Sequence, residues 1–215
     1  MQNKRKTVAL LVANAILLAM EIVALVLSIF EHGVELFKFY TQLSNIFALC
    51  ASAITVVVCA LSLAKNASLP KWLNMLNYMA SCCLAVTFTV VVTVLAPGAA
   101  GEYGLWEMYV YLLFSGSMLF THTLCPLVCM FSFVFLQPKA NVGIKNTLCA
   151  FIPTVSYAVV ALLLNLLKVM EGPYDFLLVY KNPWYVSVVA GVLLLCLAFV
   201  LAWLLGFGNK KAHRG

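Results

Sequence analysis

The chain has 215 residues, of which 65% are hydrophobic and 9% charged, with a mean hydropathy of +1.05 and a formal net charge of +6. Soluble domains carry about 25% charged residues, so a water-covered globule is excluded, as are a disordered chain, a disulfide-stapled secreted scaffold and a coiled coil. The apolar runs are continuous and too long for the short alternating strands of a membrane barrel. An all-α, polytopic membrane protein remains.

Measured in units of about 20 apolar residues, the chain divides into six spans at roughly 7–30, 39–64, 72–96, 108–136, 147–167 and 184–207, forming one transmembrane domain. The connectors are short. The longest, from Lys168 to Pro183, carries two turn-forming clusters, Glu171-Gly172-Pro173-Tyr174-Asp175 and Lys181-Asn182-Pro183. No internal repeat is evident, so the signature of a transporter built from inverted halves is missing. If six spans alternate, ten of the thirteen basic residues fall at one end: Lys4, Arg5, Lys6, Lys65, Lys71, Lys139, Lys145, Lys210, Lys211 and Arg214. The other end takes Lys38, Lys168 and Lys181 with Glu31, Glu35, Glu102, Glu107, Glu171 and Asp175. The positive-inside rule then places both termini in the cytoplasm. Trp72, Trp106, Trp184 and Trp203 lie near span ends, as an interfacial belt requires.

Scattered singly over loop ends, the basic residues predict contact with anionic headgroups and no nucleic-acid partner. Lys4-Arg5-Lys6 ahead of an apolar run resembles a signal peptide, but the run is too long and lacks a small-residue cleavage site, so it reads as a retained first span. The eight cysteines (Cys50, Cys59, Cys82, Cys83, Cys125, Cys129, Cys149, Cys196) all fall inside spans and read as small packing residues. Localisation is expected to be multi-pass in a membrane, either the bacterial inner membrane or the endoplasmic reticulum or plasma membrane.

Polar side chains inside a bilayer turn away from lipid and are candidates for function. In span one, Asn14, Glu21 and Ser28 recur every seventh residue on one face. A carboxyl at the depth of Glu21 needs a partner or a proton, and it either bonds a neighbouring helix or serves a site. Span two opens with Phe39-Tyr40-Thr41-Gln42-Leu43-Ser44-Asn45, in which Thr41, Ser44 and Asn45 share a face. Span four is read as one helix with Ser115, His122, Cys125 and Cys129 on one face and Pro126 freeing a carbonyl beside them. His122 and Cys129 are about 10 Å apart along a straight helix, too far for one ion, so no metal, haem or other cofactor is expected. Span five adds Thr154, Tyr157 and Asn165. The aromatics near Tyr174, Tyr180 and Tyr185 read as interfacial anchors.

Two short segments carry a resemblance. Thr41 within Phe39–Asn45, and His122 within Thr121-His122-Thr123-Leu124-Cys125-Pro126, are similar to the helix-two Thr and helix-four His of the androgen-induced and androgen-dependent membrane protein family and its bacterial relatives. Those are six-helix intramembrane hydrolases of fatty acid esters of hydroxy fatty acids. Glu21 has no counterpart in the animal members, and the proline after His122 sits at a different offset. The resemblance implies a lipid-ester substrate, Thr41 as nucleophile and His122 as its base. Asn45, Ser44 or Tyr157 would then donate to the oxyanion, with helical backbone N–H groups taken as engaged, and Ser115 and Glu21 would support the site. Acyl chains would enter laterally from the bilayer. For Thr41 and His122 to meet, span two must begin earlier than drawn or span four later than Met108. The rival is a non-catalytic carrier or lipid-binding protein in which Glu21 and His122 form a proton-coupled binding pair.

Overall fold

Backbone N–H and C=O groups in hydrocarbon must satisfy one another, and a continuous apolar run does so as a helix. The computed structural model, which describes residues 2–139, 143–171, 174 and 178–213, is all-α, with no strand among the described residues. Five helices are long and apolar enough to cross a membrane: Lys4–Lys38, Tyr40–Ala64, Lys71–Gly101, Gly116–Leu136 and Trp184–Ala212. A sixth crossing is made if the bent pair Ile144–Ala150 and Ile152–Leu166, angled by 47°, counts as one. They are called spans one to six in chain order, the bent pair being span five. By length and composition these helices are compatible with a multi-pass membrane protein.

Four of its prolines mark where the helices depart from regularity. Proline lacks an N–H and presses on the carbonyl four residues back, and a wider π-turn relieves both. The π-segments Val91–Leu95, Leu119–Leu124 and Ser132–Leu136 each end two residues before a proline, at Pro97, Pro126 and Pro138. The bend in span five falls at Phe151, again two residues before Pro153.

Span four departs from the sequence reading. The apolar run from Met108 does not form one helix: Leu105–Phe114 is a separate short helix, and Ser115 is extended (φ −100°, ψ 136°). Gly116 follows with φ +48°, a conformation that only glycine adopts readily. A Cβ there would sit 2.5 Å from Glu31 Oε1. Span four therefore begins at Gly116, later than Met108. Ser115 is displaced as a consequence. It lies in the turn before the helix, and does not share a helical face with His122.

The interior is polar and small-residued while the periphery is apolar. Alanines 48, 51, 80, 85, 198 and 202 and cysteines 59, 82, 83, 125 and 129 are buried, whereas large aliphatics line the outside of every span. Lipid offers no hydrophobic force between helices, so close approach of small residues and interhelical hydrogen bonds hold the bundle. Asn77 Nδ2 donates to Thr55 Oγ1 at 2.8 Å, Asn14 Nδ2 to Ser132 Oγ at 3.1 Å, and Gln42 Nε2 to Ser28 Oγ at 2.9 Å. Span three is the most enclosed of the crossings.

Candidate functional site

Thr41 stands in the first turn of span two because Phe39, in extended conformation, ends a 3-10 turn over Gly33–Lys38. The first N–H groups of any helix lack intrahelical acceptors, and no side chain caps this one from Phe39. The backbone N–H groups of Tyr40 and Thr41 and the Thr41 hydroxyl instead address the phenol oxygen of Tyr174, from the long connector. Burial pushes the Tyr174 phenol above its ordinary range and these three contacts pull it partly back. Two backbone N–H donors thus approach one oxygen beside the Thr41 side chain, to which the Thr41 hydroxyl can donate or from which it can accept. The expectation that backbone N–H groups here are engaged within the helix is corrected by Thr41's place in the first turn. Tyr174, read from the sequence as an interfacial anchor, is part of this arrangement, and nothing in its local sequence signals it. Its neighbour Asp175 lies outside the described residues.

The other span-two candidates are committed to the backbone. Asn45 Nδ2 donates to Thr41 O at 2.7 Å and across to Thr121 O of span four at 3.2 Å. Ser44 Oγ donates to Thr41 O at 2.8 Å and meets Thr87 Oγ1 of span three at 2.8 Å. Tyr157 donates to Lys38 O at 2.8 Å and packs edge-on against Tyr40, with 5.2 Å between ring centroids. Tyr40 meets Thr154 Oγ1 at 2.7 Å. These bonds set the position of Thr41 relative to spans three, four and five.

His122 sits in the π-turn Leu119–Leu124 and is buried. Its Nδ1 lies 2.7 Å from Leu112 O, and Thr123 Oγ1 donates to Leu113 O at 2.8 Å. These carbonyls end the short helix Leu105–Phe114, so two span-four side chains cap it. A carbonyl only accepts, which puts a proton on Nδ1 and leaves Nε2 of the neutral ring as the basic nitrogen. The start of span four is fixed from span one: Ser117 N–H donates to Glu31 Oε1 at 3.1 Å and its hydroxyl to the other carboxylate oxygen. Glu31 is a site-positioning residue that the sequence reading left in a loop.

A narrow cleft of about 80 Å³ opens beside Thr41 between spans two, three, five and six. Tyr40, Thr41, Tyr157 and Tyr174 line its polar end, and Val86, Val90, Leu194 and Leu195 its apolar part. Thr41 and Tyr157 are thereby brought together. His122 does not line the cleft, and no hydrogen bond joins it to Thr41; the two turns are linked through Asn45 and Thr121. Glu21 is apart from both. It is 1% exposed beside the Cys125 thiol, with no N–H or O–H on either carboxyl oxygen among the described residues. Among the described residues no group of three or more His, Cys, Asp or Glu side chains is placed to hold a metal ion. Compared with protein families, characterised proteins and solved structures, the chain matches none.

Proposed function

We propose that the protein is an intramembrane lipid-ester hydrolase with Thr41 as nucleophile and His122 as general base, acting on fatty acid esters of hydroxy fatty acids or similar acyl esters. The observation that carries this reading is the convergence of the Tyr40 and Thr41 N–H groups on one oxygen at the polar end of a cleft whose remainder is apolar. An ester carbonyl placed where the Tyr174 oxygen lies would have donors for its developing charge and the Thr41 hydroxyl beside it. The resemblance of the two short segments to the androgen-induced and androgen-dependent family supports the same assignment.

This mechanism requires the His122 ring, which does not line the cleft, to come within reach of Thr41. Its Nε2 then takes the Thr41 proton, Thr41 Oγ1 bonds to the carbonyl carbon, and the tetrahedral oxyanion rests on the span-two N–H groups. The leaving alkoxide takes the proton back from His122 and an acyl-threonine remains. Water, deprotonated by the same nitrogen, then releases the fatty acid and restores Thr41. The Leu112 carbonyl holds the imidazole in the tautomer this requires, and Asn45 ties the base's turn to the nucleophile's. The test is hydrolysis of a fatty acid ester of a hydroxy fatty acid by the full chain in phosphatidylcholine nanodiscs. Thr41→Ala should lower the rate by about 10³-fold or more, and unchanged hydrolysis in Thr41→Ala would overturn the reading.

A further inference from the structure

Gly191 stands inside span six (Trp184–Ala212), where a helix-interior glycine is destabilising relative to alanine. That cost is commonly offset where another chain packs against the bare backbone. Gly208 in the same helix faces such a neighbour, since a Cβ there would touch Val134 at 3.7 Å. At Gly191 an added Cβ would meet nothing within 4 Å. The space it leaves belongs to the cleft beside Thr41, lined next to it by Leu194 and Leu195 of span six and by Ala158 of span five. These four residues are only partly covered, and the second helix of span five (Ile152–Leu166) touches span six less than span three does. The cleft therefore has partly exposed walls on spans five and six, where Ala158 and Gly191 both line it.

We propose that Gly191 is the aperture through which the apolar tail of an amphipathic ester passes from the bilayer into the cleft, so that side-chain size at position 191 selects which tails are admitted. The identity of the head group as an ester rests on the hydrolase reading; the admission of a long apolar tail rests on the cleft alone. Ala158, on the opposite wall, is the second selecting residue. A methyl at position 191 occupies open space and leaves the passage. A leucine extends three more carbons into it and closes it to long chains while the polar end stays accessible from the connector side.

The test is photocrosslinking of a palmitoyl ester carrying a diazirine on its chain, with a butyryl ester carrying the same group as the short control, on the full chain in phosphatidylcholine nanodiscs. Wild type and Gly191→Ala should crosslink the palmitoyl probe to span six near residues 188–195. Gly191→Leu should reduce that crosslink about tenfold or more and retain the butyryl one. Thr41→Ala should leave the pattern as in wild type, because occupancy needs no chemistry; a protein that admits the probe but hydrolyses nothing would refute the hydrolase and not the aperture. Ala158→Leu narrows the passage from span five and must give the same selective loss, which decides the matter if Gly191→Leu does not fold. Palmitoyl crosslinking unaltered in a folded leucine variant, or absent from span six in wild type, would overturn the proposal.

Discussion

Two polar regions lie within the bundle, and they are built differently. Along a seam on one face of span one, Asn14 reaches Ser132 of span four, Ser28 takes the amide of Gln42 of span two, and Glu21 lies against Cys125 of span four. None of these side chains lines the cleft beside Thr41. Around Thr41 the polar side chains border open volume, and a helix terminus supplies donors to it. Both regions look alike in sequence, as polar residues at helical spacing in apolar spans. The difference is space: a satisfied polar group in a packed seam holds helices together, whereas one facing a cleft has room for a ligand.

Substitutions that separate packing from chemistry break or sharpen this contrast. The largest effect is expected from His122→Asn, whose amide can still donate to Leu112 O but offers no basic nitrogen. Ester hydrolysis should fall by about 10²–10⁴-fold with the thermal midpoint nearly unchanged. A large loss of stability with hydrolysis preserved would make His122 a cap alone. Gly116→Ala comes next, since it combines a positive φ with a clash against Glu31. It should cost about 1–3 kcal/mol, read as a lower midpoint, and slow hydrolysis because the His122 turn begins there.

Tyr174→Phe should act in the opposite direction. Removing the oxygen that occupies the span-two donors should speed labelling of Thr41 several-fold, about 1 kcal/mol by the usual conversion. Because burial raises the Tyr174 phenol above its ordinary value, it stays protonated through neutral and mildly alkaline pH. The gain should thus be equal at pH 7 and pH 9, and a gain that grows at the higher pH would show that the phenol ionises and holds the donors more tightly. In the seam, Asn14→Ala should cost only about 0.6 kcal/mol. Glu21→Gln should leave hydrolysis unchanged. Abolished hydrolysis in Glu21→Gln would move the seam into the site.

The crossings were legible because apolar length in a bilayer leaves the backbone only one solution. Their irregularities were partly legible too, since Pro97, Pro126, Pro138 and Pro153 each announce a wider turn or bend two residues earlier. The break at Ser115 was not, because residues 108–136 carry no Asp, Glu, Lys or Arg to mark a span end and the decisive contact, Glu31 against the start of span four, is made by a distant span. Spacing placed Ser44 and Asn45 on the face of Thr41, but not what their donors would reach. Tyr174 was invisible as a site residue: its meeting with Thr41 depends on how the connector folds over the bundle, which no local pattern encodes. Gly191 carries no local signal of a site, and the cleft it lines exists only once spans three, five and six are assembled.

The central claim is that Thr41 is an activated nucleophile at the polar end of the cleft. Its most direct test is to treat the full chain in nanodiscs with a long-chain alkyl fluorophosphonate and map the adduct by peptide mass spectrometry. The account predicts one phosphonylated residue, Thr41, with the adduct retained in Glu21→Gln and lost in Thr41→Ala. An adduct on another residue, or hydrolysis that persists with Thr41 unmodified, would contradict it.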